Sequence, residues 1–279
     1  MKKLFSLVLA LSFVLLLAAC GTSEEKSDGG SEKAETTELV VGASNVPHAE
    51  ILEEASPLLE EKGIELKIET FQDYVLPNKA LESKELDANY FQHIPYLTAQ
   101  IKENGYDFEN AGGIHIEPIG VYSKKYKDLS ELPDGAQLIM SNSVADHGRL
   151  LSLLEAEGLI KLKEGIDKTT ATTEDVVENK KNLKFDTNYE AALLPQIYNN
   201  GEGDAVLINS NYAIDAGLNP LEDSIAIENS ESPYVNIIAV RKGDENKEAI
   251  KTLVEVLRSK EIQDFILEKY KGAVVPVSE

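Results

Sequence analysis

Four histidines, His48, His93, His115 and His147, and one cysteine, Cys20, are the side chains of this 279-residue chain best suited to activating a nucleophile or ligating a metal. Their spacing argues against both uses. None stands in His-Glu-x-x-His or another close ligand spacing, and no second cysteine is available. Neither a Gly-x-Ser-x-Gly elbow nor a phosphate-cradling glycine loop occurs. Carboxylates are plentiful, 49 in all, but no pair is singled out by its surroundings. A zinc-scavenging protein would bring histidines together or carry a His-rich loop, and a surface hydrolase would show a marked acid, base or nucleophile. Both stand as alternatives to a binding protein, for which no catalytic residue, metal or cofactor is expected.

What remains is a set of polar and aromatic residues suited to holding a small charged molecule. Tyr74, Phe91, His93 and Tyr96 fall at or just beyond strand ends in the first half, and Asn142, Arg149, Asn209 and Asn211 do so in the second. Each has an ordinary use, since aromatics usually build cores and asparagines usually build turns. Arg149 is the most informative. On a helix beginning near Ala145, it borders the apolar stripe of Leu150, Leu153 and Leu154. Near the first turn, the helix dipole opposes a cation and favours an anion. An arginine placed there makes sense if a carboxylate joins it, taking a bidentate fork and hydrogen bonds from the free N–H groups. A salt bridge to one of the many surface acids explains it equally well.

The elements that must position these residues follow from periodicity. Leu39–Ala43 reads as a buried strand, followed by a helix carrying Ile51, Leu52, Ala55, Leu58 and Leu59, which Pro57 must kink or divide. Ile64, Leu66 and Ile68 alternate as a strand, a helical stretch surrounds Ala80 and Leu81, and Leu86–Phe91 is a third strand. This βαβαβ order implies parallel strands with helices on their faces. A second set has a strand at Gln137–Met140, a helix at Ala145–Glu157 with Gly158 as its C′ residue, a helix start at Thr172–Asp175, and a strand at Asp204–Ile208. Ile114–Ser123 and Tyr234–Val240 are extended, and two amphipathic helices close the chain. The reading is α/β: two lobes joined by two crossing strands as a hinge, with a ligand cleft between them. A single large α/β domain is the competing arrangement. In such sheets ligands bind at the carboxyl ends of the strands.

The N-terminus has its own chemistry. Lys2 and Lys3 precede an apolar run from Leu4 to Ala19 that is short for a bilayer span, which makes residues 1–19 an export signal. Leu17-Ala18-Ala19-Cys20 resembles a lipobox, so Cys20 is expected to carry a diacylglyceryl group, with a further acyl chain such as palmitate completing a firm membrane anchor. Residues 20–37 have no large apolar side chain and are expected to form a flexible tether. Of 27 basic side chains, Lys2 and Lys3 leave with the signal; the remaining 25 against 49 acidic give a mature charge of about −24. Such a surface repels nucleic acid and anionic lipid.

Several stretches together resemble one family. Asp-Tyr-Val-Leu-Pro-Asn-Lys-Ala-Leu (73–81), Leu-Asp-Ala-Asn-Tyr-Phe-Gln-His-Ile-Pro-Tyr-Leu (86–97), His-Ile-Glu-Pro-Ile-Gly-Val-Tyr-Ser (115–123), Asn-Tyr-Ala (211–213) and Ser-Pro-Tyr-Val-Asn (232–236) look like signature stretches of MetQ/NlpA lipoproteins, the methionine-binding subunits of ABC importers. The resemblance runs from the lipobox to Gly-Ala-Val-Val-Pro-Val-Ser-Glu (272–279), and Phe-Gln-His-x-Pro-Tyr is its most specific element.

That resemblance implies a two-lobed fold of the periplasmic-binding-protein type II, with 38–120 and 236–279 as the first lobe and 121–235 as the second. It implies that Arg149 holds a ligand α-carboxylate, that Asn209 and Asn236 help with the polar end, and that Tyr74, Phe91 and His93 surround the side chain. The protein would be a monomer on the extracytoplasmic face of a Gram-positive cell membrane, delivering its ligand to permease and ATPase subunits. One stretch departs from the family pattern: Ser141-Asn142-Ser143-Val144-Ala145-Asp146-His147 replaces the Pro-Asn-Asp-Pro-Thr-Asn of many members. Methionine remains the expected ligand, and the preference among L-methionine, its D form, its sulfoxide and methionyl dipeptides stays open.

Overall fold

The structure, a computed structural model, describes residues 36–229 and 232–277. The expected signal, Cys20 and nearly all of the expected tether lie outside these residues. Among the described residues no helix is long and apolar enough to cross a membrane.

The first sheet contains β1 (Thr37–Ser44), β2 (Ile64–Phe71), β3 (Ala88–His93), β4 (Phe108–Ile116), β12 (Val235–Arg241) and β13 (Val275–Pro276), in the order β2-β1-β3-β12-β4-β13. β1 runs parallel to both β2 and β3, as the βαβαβ order requires, while β12 enters antiparallel between β3 and β4. Alternation along β12 shows why both faces are covered. Ile238 and Val240 join a core with α1 (Glu50–Glu61) and the C-terminal helices, while Ile237 and Ala239 point to the opposite core with Leu81, Leu97 and Phe108.

The second sheet contains β5 (Gly120–Tyr122), β6 (Gln137–Ser141), β9 (Lys184–Tyr189), β10 (Ala205–Ile208) and β11 (Ala226–Ile227), ordered β11-β5-β10-β6-β9. A small hairpin of β7 (Ile160–Leu162) and β8 (Val176–Asn179) stands apart from it. Here too the pattern is two-sided: Leu138, Met140 and Leu207 face one core, and Ile139, Val206 and Ile208 face the other. The chain passes between the sheets twice, first between β4 and β5 and again between β11 and β12.

The remaining helices are α2 (Leu76–Glu82), α3 (Ile94–Asn104), α4 (Val144–Ala156), α5 (Leu194–Asn199), α6 (Ser210–Asp215), α7 (Pro220–Asp223), α8 (Glu248–Leu257) and α9 (Lys260–Tyr270). Ile250, Leu253 and Ile262 carry α8 and α9 back onto the first sheet's core.

Two expectations need correction. Pro57 does not divide α1, which is continuous from Glu50 to Glu61. Pro57 and Glu53, whose carbonyl loses its helical partner, both lie on the exposed face of the helix. Thr172 does start a helical turn with a complete capping box, but that turn ends at Asp175. The β-branched Val176 and Val177 begin β8, and Val176 pairs with Leu162 of β7.

Candidate functional site

A hollow, partly open to solvent, lies between the two sheets at the carboxyl ends of β3, β6 and β10. Eight of the nine predicted ligand residues line it: Tyr74, Phe91, His93, Tyr96, Arg149, Asn209, Asn211 and Asn236. Asn142 does not. It follows the end of β6, is exposed, and lines a neighbouring hollow beside Tyr74, Tyr96 and Tyr212. The inner cavity also has four residues absent from the sequence-based set: Gln92, Glu117, Asp146 and Ser210. Asp146 carried a usable signal, because a residue three before Arg149 on a helix shares its face.

The polar wall is built on α4. Asp146 is in the first turn, where the helix dipole favours an anion. Its Oδ2 accepts from Asn209 Nδ2 at 3.2 Å, and its Oδ1 faces His93 Nε2 at 3.1 Å. The Tyr96 backbone N–H donates to His93 Nδ1 at 3.1 Å, so the ring proton must be on Nε2 and points at Asp146. Burial pushes the Asp146 carboxyl up, but His93, Arg149 and Asn209 outweigh it and hold the group below its ordinary value.

One turn further along, Arg149 is 4 % exposed. Its Nε donates to Glu228 Oε2 at 3.0 Å, its Nη2 donates to the same oxygen, and Nη2 also donates to the Glu117 carbonyl at 2.7 Å. The Tyr234 ring covers the guanidinium at 4.6 Å. The salt bridge therefore exists, but its acid belongs to the crossover between the sheets and not to the open surface. Nη1 is left on the Asp146 side, 3.8 Å from Oδ1. Burial works against the charge, and Glu228 and Asp146 more than compensate, raising the Arg149 pKa.

The apolar wall comes from the first lobe. Tyr74, Phe91 and Tyr96 stand with ring centroids 6.0 Å apart in each pairing. The Tyr96 hydroxyl donates to the Tyr74 carbonyl at 2.8 Å, and the Tyr74 hydroxyl donates across the cleft to Asn211 Oδ1 at 2.6 Å. Tyr212 also reaches across, donating to the Gln72 carbonyl at 3.1 Å. Burial is the first cause of the raised pKa of Tyr74 and Tyr96, so both remain neutral donors.

Behind the cavity is a buried polar node. Tyr90 bonds His115 Nδ1, which leaves the His115 Nε2–H to donate to Glu117 Oε1 at 2.8 Å. His48 Nε2 lies 3.1 Å from Asn236 Oδ1 and 3.2 Å from Glu117 Oε1. Burial lowers the pKa of His48 to about 4 and that of His115 to about 3, so both are neutral near pH 7. Burial also raises the Glu117 carboxyl, opposed by His48, Arg149 and the Asn211 backbone N–H. The donor atoms of His48, His115 and Glu117 lie within 4.8 Å of one another, a separation compatible with metal ligation. Here, however, the nitrogens address the carboxylate as hydrogen-bond donors. His147, the fourth histidine, serves the local fold, with its Nε2 at 2.9 Å from the Ser141 carbonyl.

The combination of a fixed guanidinium, buried carboxylates and an aromatic box is matched by likeness along the whole described chain. The sequence profile of the NlpA lipoproteins matches residues 39–278. The chain belongs to the NlpA lipoprotein family. Among NlpA relatives, the methionine-binding lipoprotein MetQ of Bacillus subtilis (strain 168) is 53 % identical over 281 residues, covering 100 % of both chains. A crystal structure of a pheromone cOB1 precursor/lipoprotein of the YaeC family from Enterococcus faecalis V583 is 60 % identical, with a TM-score of 0.84, covering 86 % of this chain and 100 % of that one. A nutrient-binding protein from Burkholderia cenocepacia, solved bound to methionine, is 43 % identical with a TM-score of 0.80, covering 85 % and 99 %. The NlpA fold is the expected two-lobed, periplasmic-binding-protein-like α/β architecture.

Proposed function

We propose that this protein is a lipid-anchored, extracytoplasmic solute-binding protein that captures methionine between its lobes and delivers it to an ABC permease and its ATPase. The observation that carries this reading is the convergence of Arg149, Asp146 and the Tyr74–Phe91–Tyr96 box on one cavity. A zwitterion with a thioether tail matches all three. Its carboxylate meets the Nη1 side of Arg149, and its ammonium meets Asp146 and Glu117 with help from Asn209 and Asn236. Its sulfur packs among rings, each contact contributing roughly 0.3–1.5 kcal/mol. The names of the Bacillus and Burkholderia relatives support the same ligand.

In this reading residues 38–120 with 236–279, and residues 121–235, move as two lobes, and ligand contacts to both favour the closed arrangement. The side chains that bridge the cleft, Tyr74 to Asn211 and His93 to Asp146, belong to that closed form. Cys20 supplies the anchor, and the tether keeps a monomer near its permease on the outer face of the cell membrane. The site binds and does not react. A zinc-scavenging role is disfavoured because a cation would have to break the His48–Glu117–His115 hydrogen bonds.

Protein refolded from denaturant, and so freed of any copurified ligand, should show a raised melting temperature and a calorimetric binding isotherm with L-methionine. A shift with zinc and none with methionine would overturn the proposal.

A further inference from the structure

Arg149 already has an anion, and that anion is not free to leave. Glu228 Oε1 accepts from Ser232 Oγ at 3.0 Å, and Oε2 accepts from the Ile119 backbone N–H at 3.3 Å, besides both Arg149 bonds. Its side chain is 12 % exposed. Ile119 lies on the first crossover and Glu228 and Ser232 on the second, so this one carboxylate laces the two segments together. Arg149 touches both of them, through the Glu117 carbonyl and through Glu228. A guanidinium is a rigid planar fork. With Nε and Nη2 pinned to the crossovers and one face against Tyr234, its plane is set and the Nη1 edge is what it offers to the cavity.

We infer that Glu228 is a positioning residue: it presents Arg149 to the ligand's carboxylate and stays in place when the ligand binds, so that the carboxylate is sensed by both crossover segments. A competing role, in which Glu228 merely occupies Arg149 until a ligand displaces it, fits poorly with its two bonds that do not involve Arg149. The inference rests on the methionine-binding reading.

The test compares L-methionine with L-methioninol, which keeps the ammonium and thioether but lacks the carboxylate. Glu228→Ala should weaken methionine on the order of tenfold or more and methioninol less than about threefold. Glu228→Gln keeps the acceptor and should restore methionine to within about threefold of wild type. Should the alanine variant fail to fold, Glu228→Asp, which withdraws the carboxylate by one methylene, should give the same methionine-selective loss. Equal loss of both ligands, or loss of neither, overturns the inference. If wild type binds no methionine at all, the functional reading fails first. The Arg149 Nε–H then decides the rest by ¹⁵N NMR of ligand-free protein: protection from exchange in wild type and its loss in Glu228→Asp support positioning, and an unprotected wild-type Nε–H refutes it.

Discussion

His93 donates its Nε2–H across the cleft to Asp146 Oδ1 at 3.1 Å, joining the end of β3 in one lobe to the first turn of α4 in the other. Asp146 also receives Asn209 and faces Arg149, so a single carboxylate gathers groups from both sides of the cavity. His93 is held in the donating tautomer by the Tyr96 N–H, so the ionised Asp146 makes this bond a charge-assisted one. Asp146→Asn keeps the volume and removes the charge. It is expected to weaken methionine on the order of tenfold and to widen the unliganded molecule in small-angle scattering, since a charge-assisted bond holding the lobes is lost. Unchanged affinity and unchanged dimensions would show that the His93–Asp146 contact does not contribute to closure.

Arg149→Ala is expected to abolish methionine binding, and also to cost stability. Glu228 and Asp146 would be left in the interior without their cation, and stranding one member of a buried ion pair costs about 3 kcal/mol or more. Arg149→Lys should recover most of the lost stability but little of the affinity, because an ammonium cannot reach Glu228 and a ligand carboxylate with fixed geometry. Urea melts and calorimetric titration of the two variants separate these effects.

Gly148 sets how closely α4 approaches its neighbour. A Cβ there would lie 1.9 Å from the Lys168 carbonyl oxygen, a backbone atom that cannot swing aside. Gly148→Ala should therefore destabilise the fold by about 1–3 kcal/mol, as overpacked interiors do. It should also weaken methionine, because Arg149 is the next residue and moves with the helix. A denaturation midpoint equal to wild type would contradict the close contact.

Norleucine replaces the sulfur of methionine by a methylene of similar size. If Tyr74, Phe91 and Tyr96 recognise a polarisable thioether, methionine should bind more tightly by about 0.3–1.5 kcal/mol for each ring contact. Phe91→Leu keeps an apolar wall and should narrow that preference. Equal affinity of wild type for the two ligands would reduce the box to a purely hydrophobic pocket.

Much of this architecture was legible because its causes are local. The parallel set of β1, β2 and β3 and the Gly158 cap after α4 follow from element order and backbone freedom. The aromatic and asparagine residues were legible as strand-end groups, and the structure gathers eight of nine around one cavity. Asn142 lines the neighbouring hollow instead, since a place at a strand end says nothing of whether the side chain turns inward. The carboxylates were harder. Glu228 lies 79 residues from Arg149, and among 49 acids Asp146 is marked by its place three residues before Arg149, while nothing local marks Glu228 or Glu117. Their importance comes from desolvation, which arises only once the crossovers are in place. Pro57 leaves α1 undivided, so of the two effects of an interior proline, a kink or a break, the break does not occur.

Acid should weaken the fold through the buried node. His48 and His115 titrate near 6.5 when unfolded but only at about 4 and about 3 in the folded protein, burial being the first cause for each. Between about pH 6.5 and pH 4 the unfolded chain thus binds more protons, so stability must fall as pH falls, by about 1 kcal/mol per pH unit for each such histidine. The groups facing His48 are Glu117, Asn236, Tyr90 and His115. Glu117, raised by burial, works the other way, since its folded form takes up a proton earlier on acidification. Asp146 is depressed, so its contribution is present above its unfolded value and is lost only as pH falls through the lower folded one. His48→Gln preserves a donor toward Asn236 and Glu117 without a titrating ring. Urea melts from pH 7 to pH 4 should show a shallower decline for this variant than for wild type, and parallel declines would mean that His48 takes up its proton in the folded protein at no cost.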